Sequence, residues 1–218
     1  LMLRQFMNGI PSGITEMSPG IVTFIFNRFI VTFMHDRELI IYSILSYVIL
    51  LATVLANGIA QGAQPLVSYY HGRHERDTFH TIFGYEIRSG LILAVLEIAV
   101  VLVFGNYIAM LFVNDGDALI LEVSHALKLI AMAFPMLSMN IIIAGYLTAL
   151  ERSRVAVVIS LMRCTLTLSL SLALIATMLG TSNIWLSLAV SEMLSMIAAV
   201  LLYRKTRRVA IAETFDDM

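Results

Sequence analysis

Charge is what this chain has least of. Only 13% of its 218 residues are Asp, Glu, Lys or Arg, against 59% hydrophobic. An ordinary soluble domain is about a quarter charged and about half apolar. A chain this poor in charge cannot cover its own surface with polar groups, which excludes a free soluble domain. Cysteine is scarcer still: Cys164 stands alone, so no internal disulfide forms. The formal net charge of -1 says nothing about nucleic acid, but no basic segment stands apart and no nucleic-acid partner is expected. P-loop, HExxH and GxSxG motifs and Cys/His metal clusters are missing. The reading is therefore a non-enzyme without metal or organic cofactor, and any pumping must draw on an ion gradient. The opening residues LMLRQFMNGIPSG lack the apolar core and cleavage site of a signal peptide, and they begin with Leu, which reads as a piece of something longer.

What is present is long uncharged runs. Residues 39–70, 129–150 and 164–191 contain no Asp, Glu, Lys, Arg or His. A bilayer core needs roughly 20 apolar residues of helix. The fold class expected is an all-α integral membrane protein. Six spans are expected, at about 17–34, 39–70, 87–104, 128–150, 155–179 and 184–203, with Pro19 at the start of the first. Residues 1–16 form a cytoplasmic lead-in, 17–203 a six-helix transmembrane lobe and 204–218 a charged cytoplasmic tail. Residues 105–117 read as interfacial, with an NDGD turn, and Trp185 suits an aromatic belt. Pro135 is placed to kink the fourth span. The segment CTLTLSLSL alternates with period two, as a barrel strand would, but lies in a run too long for one. His71, His74 and His80 read as members of a solvated loop.

Lys and Arg fall on one side of this topology. Arg4, Arg73, Arg76, Arg152, Arg154, Arg204, Lys205, Arg207 and Arg208 share it, and Arg37 faces them from the other. By the positive-inside rule both ends are cytoplasmic, in a cell (inner or plasma) membrane.

The second span carries a polar stripe: Ser43, Ser46, Thr53, Asn57, Gln61, Gln64 and Ser68, at steps of three, four or seven. Such residues share one helix face. Amides and hydroxyls are costly in lipid, so the stripe faces other helices or water. It is either an interface glued by polar side chains or the wall of a water-accessible cavity. Gly58 and Gly62 form a GxxxG pair that would let another backbone approach, and Pro65 is placed to bend the helix. Asn27 in the first span and Asn140 in the fourth are further cavity candidates. Four charges lie within spans: Arg28, Glu97, Arg163 and Glu192. Intramembrane charges usually face inward. Arg163 and Glu192 fall at similar depth and are expected to be neighbours, either as a structural ion pair or as a proton or sodium site.

Four segments carry a family resemblance. GIPSGITEMSPGIVTFIFNRFI, GIAQGAQPLVSYYHG, GYLTALERSRVAVVISLMR and IWLSLAVSEMLSMIAAVLLYRK occur in order across nearly the whole chain. They resemble the seventh helix, the eighth, the tenth–eleventh junction and the twelfth helix of the multidrug and toxic compound extrusion (MATE) family. Asn27, Arg28, Gly58, Gln61, Gly62, Gln64, Pro65 and Glu192 fall on that pattern. The resemblance implies the carboxyl-terminal half of a twelve-helix, two-lobe transporter that exports organic cations in exchange for Na⁺ or H⁺ by alternating access. Its partners would be the lipid bilayer and an amino-terminal six-helix lobe, on the same or a separate chain. Some members bind cations through acidic residues in the seventh and tenth helices. The cores of the first and fourth spans have none, which argues against such a site in this lobe and turns attention to Glu97 and Glu192. A flippase or polysaccharide exporter of the same superfamily, and a non-transporting or truncated subunit, are the competing readings.

Overall fold

A computed structural model gives the architecture. It describes the backbone of residues 2–113 and 117–216, and the side chains of residues 13, 16–113 and 118–203. The chain runs through α1 (Met2–Phe33), α2 (Asp36–Gly72), α3 (Arg76–Phe112), α4 (Asp117–Ala131), α5 (Phe134–Ala149) and α6 (Ser153–Leu161). A π-helical turn (Met162–Thr167) leads into α7 (Leu168–Met178), and a 3-10 turn (Thr181–Asn183) precedes α8 (Leu186–Asp216). No strand occurs among the described residues, and CTLTLSLSL is helical.

By length and apolarity α2, α3, Ser153–Met178 and Leu186–Tyr203 can each cross a membrane. The pair α4–α5, bent by 45° at a short break, gives a fifth when counted as one broken span, and α1 is not among the described helices long and apolar enough to be a sixth. The expected kink therefore falls at residues 132–133, just before Pro135. Proline there has no N–H to continue the helix ladder. Helix α1 runs through Pro19 rather than starting there. Membrane helices tolerate interior proline because neighbours and hydroxyls satisfy the freed groups. Beside it, the Thr23 hydroxyl donates to the Pro19 carbonyl at 3.0 Å, one turn on in the same helix. In backbone terms residues 2–16 are already helical, since α1 begins at Met2.

Residues 105–112 are helical rather than a separate segment. They continue α3, which is 37 residues long, and the fourth crossing begins at α4 rather than near 128. Of the NDGD turn, residues 114–116 lie outside the described residues. Gly105 is a packing position: a methyl group built on it would sit 3.2 Å from the Ser124 hydroxyl of α4. The buried face of α3 is Phe79, Glu86, Gly90, Ala94, Val101, Gly105 and Ala109, spaced by sevens and fours. Only 17% of its apolar window is buried, so most of its circumference is exposed on the surface of the lobe.

At the centre stands α5, apolar all round and packed against α2, α3, α6 and α8. Helices in lipid are held by close packing and hydrogen bonds rather than by the hydrophobic effect. The tightest approach of α5 to α2 is Gly145 against Ala60, where a built Cβ would lie 3.0 Å from the Ala60 methyl. Trp185 is buried in the main core beside Ile184 and Leu188, not in a lipid-facing belt.

The loops α2–α3 and α5–α6 lie at one end. The Ser68 hydroxyl donates to the Ala149 carbonyl at 3.1 Å, and Val67, Phe79, Tyr146 and Ala149 pack together there. Arg73, Arg76, Arg152 and Arg154 therefore share an end. His74 and Glu151 hold these loops in left-handed backbone, with φ of 60° and 59°. His80 is no loop residue: it lies in α3, and its Nδ1 is 3.0 Å from the buried Tyr146 hydroxyl. Arg37 on α2 grips Glu122 on α4 at the far end with two bonds of 2.8 and 3.0 Å. The side chains of Arg4, Arg204, Lys205, Arg207 and Arg208 lie outside the described residues.

Candidate functional site

The polar stripe of α2 forms one wall of a cavity of about 460 Å³. From α2 come Thr53, Asn57, Gln61 and Gln64; from α5, Asn140 and Thr148; from α6, Ser160. Glu16 of α1 stands on the same wall, and Gln61 Nε2 donates to its Oε1 at 3.3 Å. Of the two readings of the stripe, the geometry favours the cavity wall along Thr53–Gln64. Its outer members spend their hydroxyls locally: Ser43 donates to the Leu39 carbonyl and Ser46 to that of Ser43.

A second cavity of about 330 Å³ lies further toward the start of α2. It is lined by Thr23, Tyr42, Ser46, Leu50, Leu188 and Glu192, among others. Pro19, Thr53 and Arg163 line both cavities.

Arg163 and Glu192 are brought together. Their Nη1 and Oε1 are 3.6 Å apart, with side chains only 10% and 4% exposed. Asn140 completes the group, its Nδ2 donating to Glu192 Oε2 at 2.7 Å and to the Glu192 carbonyl at 3.0 Å. The π-helical turn that carries Arg163 is rich in hydroxyls. Thr165 donates to the Leu161 carbonyl at 2.6 Å, and Thr167 to the carbonyls of Met162 and Arg163 at 3.2 and 3.0 Å. Such back-bonding competes with the ordinary helix ladder and loosens it. Thr167 Oγ1 also shares hydrogen bonds with the hydroxyls of Ser191 and Ser195 of α8, at 3.1 and 2.7 Å. The turn is thus pinned to α8 on both sides of Glu192.

Other candidates fall elsewhere. Asn27 is half-buried and Arg28 exposed, and neither lines a cavity. Arg28 is exposed on the surface of this lobe. Glu97 of α3 lines neither cavity; its carboxylate oxygens are out of solvent without a hydrogen-bond partner among the described residues. Gly58 and Gly62 make no close packing contact within this lobe. Both are exposed, and a Cβ on either meets nothing within 4 Å, because they lie on the outer face of α2. The small-residue contact of α2 lies on the opposite face of the helix, at Ala60. Through Pro65 the helix continues unbroken. No group of His, Cys, Asp and Glu able to hold a metal occurs among the described residues.

Sequence reasoning missed three features. Glu16 fell just outside a span boundary drawn at Met17. Glu86, 4% exposed, lay one residue before a boundary drawn at Ile87. The third is the serine row of α8, whose signal was available: Ser187, Ser191 and Ser195 recur every four residues, and all are buried.

Comparisons with known proteins give a consistent result. Solved transporters share this fold. An outward-facing multidrug resistance MATE family transporter of the MOP superfamily superposes with TM-score 0.85 at 15% identity, over 94% of this chain and 46% of that one. An inward-facing one gives 0.83 at 16% identity, over 94% and 48%. The Vibrio cholerae MATE transporter VcmN in its bent form gives 0.82 at 18%, over 91% and 45%. The chain spans about half the length of these structures. No curated protein matches it. The MatE family profile matches residues 11–175, three quarters of the sequence, and the chain belongs to that family.

Proposed function

We propose that this chain is the carboxyl-terminal lobe of a multidrug efflux antiporter. It pairs with an amino-terminal six-helix lobe and exports organic cations in exchange for H⁺ or Na⁺ by alternating access. The observation that carries this reading is the polar cavity of about 460 Å³ with Glu16 on its wall. A carboxylate among amides in a membrane-embedded cavity attracts a cation, whether drug or coupling ion, far more strongly than it would in water. Glu192 is less suited to exchange a cation, being engaged by Arg163 and Asn140. Glu16 thus takes the role first assigned to Glu97 and Glu192. Near-equal similarity to outward- and inward-facing relatives supports a lobe that keeps its shape while rocking against its partner. The basic end formed by Arg73, Arg76, Arg152 and Arg154 is assigned to the cytoplasm by the positive-inside rule. The lobe sits in a cell membrane with both chain ends on that side.

The test is efflux of a cationic dye from proteoliposomes holding the native full-length protein, under an imposed Na⁺ or H⁺ gradient. Gradient-driven efflux that falls at least about tenfold in Glu16→Gln is expected, as loss of one cation contact in a low-dielectric site. Efflux independent of either gradient, or unchanged in Glu16→Gln, would count against the reading.

A further inference from the structure

The larger cavity has a polarity that its residue types alone do not give. Asn, Gln and Thr side chains can each donate or accept a hydrogen bond. On this wall the donors are engaged within the lobe. Gln61 turns its amide nitrogen to the Glu16 carboxylate at 3.3 Å. An ionised carboxylate only accepts, so the carbonyl oxygen of Gln61 is the atom left over. Asn140 gives its Nδ2 to Glu192 twice. Thr148 donates to the Ala144 carbonyl at 2.9 Å and Thr53 to that of Ile49 at 2.8 Å, which leaves each hydroxyl its lone pairs. Arg163 lines the wall too, but its Nη1 is out of solvent beside Glu192. What this leaves for a ligand is acceptors on three helices: the Glu16 carboxylate of α1, the Gln61 carbonyl of α2 and the Thr148 hydroxyl of α5. None of the described residues lining the cavity is aromatic, so no ring face is offered to a cation.

We propose that this cavity selects cations that carry N–H donors, primary ammonium and guanidinium groups above all, over quaternary ammonium ions. Each N–H exchanges a hydrogen bond to water for one to a wall acceptor. A quaternary nitrogen meets the charge of Glu16 through a shell of methyl groups and leaves the acceptors of Gln61 and Thr148 unpaired. A site arranged to bond an N–H rejects the analogue that lacks it, because its own polar groups then lose their partners. Aromatic cages are what hold quaternary ions by preference, and this wall has no ring to build one. A quaternary dye still binds here through charge, only more weakly.

The inference rests on the proposed cation site and names the kind of cation it takes. The test is calorimetric titration of the full-length protein in nanodiscs, with the signal of empty nanodiscs subtracted. The probes are 1-adamantylammonium and its N,N,N-trimethyl counterpart, which share one charge and one rigid, non-aromatic cage. The ammonium ion is expected to bind at least about tenfold more tightly. Gln61→Leu combined with Thr148→Val removes two acceptors and keeps Glu16, and should bring that ratio to about threefold or less. Equal affinities in wild type, or tighter binding of the trimethyl ion, overturn the proposal. So does an undiminished ratio in the double variant, which would place the discrimination outside this wall. The wild-type comparison decides the matter even if the double variant does not fold. Failure of the cation site itself looks different. Neither probe then binds, and the inference falls with the site. If both bind equally and both weaken in Glu16→Gln, the cation site stands and the inference alone is lost.

Discussion

Asn140 on α5 and Glu192 on α8 are joined twice, because one amide nitrogen donates to both the carboxylate and the backbone carbonyl of Glu192. The contact ties the central helix to the last one inside the lobe. Asn140→Ala leaves a buried carboxylate without its donor, which costs about 1–3 kcal/mol. Asn140→Asp adds a like charge and should cost more. Thermal unfolding of detergent-solubilised protein ranks the variants as wild type, Ala, Asp. An Asp variant as stable as wild type would contradict the geometry.

The ion pair between Arg163 and Glu192 makes a second prediction. Removing one partner strands the other charge in a buried site, at about 3–5 kcal/mol. Removing both should cost clearly less than the sum of the single losses. A double-variant cycle with Arg163→Gln and Glu192→Gln in nanodiscs measures this coupling. Strict additivity would mean that the two side chains do not interact.

Glycines of this lobe are not equivalent. Gly145 faces Ala60, and Gly145→Leu must push α2 from α5, at a cost of about 1–3 kcal/mol. Gly58→Ala and Gly62→Ala add a methyl group into open space and should stay within about 0.5 kcal/mol of wild type. Melting temperatures of the three variants decide it. If Gly62→Ala instead spoils efflux while leaving stability intact, the outer face of α2 is a contact surface of the assembled transporter.

His74 and Glu151 occupy the left-handed region at corresponding turns after α2 and α5. A side chain there costs about 1–2 kcal/mol, which glycine avoids. His74→Gly and Glu151→Gly should therefore each raise the melting temperature. A fall at Glu151→Gly would show that its side chain contributes more than the strain costs.

The sequence made the helical lobe legible through its uncharged runs, and the cavity wall through the spacing of Asn57, Gln61 and Gln64. Arg163 and Glu192 could be paired by counting depth alone. What escaped it has a common cause. In water, glycine and proline punctuate helices, so Pro19 and Gly105 were read as ends. In lipid an unpaired backbone is too costly, and helices run on through both. Misplaced ends then pushed Glu16 and Glu86 out of their spans. The π-helical turn at Met162–Thr167 could not be read at all, because its register depends on the serines of α8 that receive it.

The narrow seam of α3 has a consequence for how such a chain can change over time. Gly90, Ala94, Gly105 and Ala109 leave no room to grow; a Cβ on Gly90 would run into Ile142. Much of the remaining surface of α3 touches no neighbour in the lobe, so exchanging one exposed apolar side chain for another there should cost little, whereas growth at the seam must part α3 from α4 or α5. A helix built this way tolerates wide change on one side and almost none on the other.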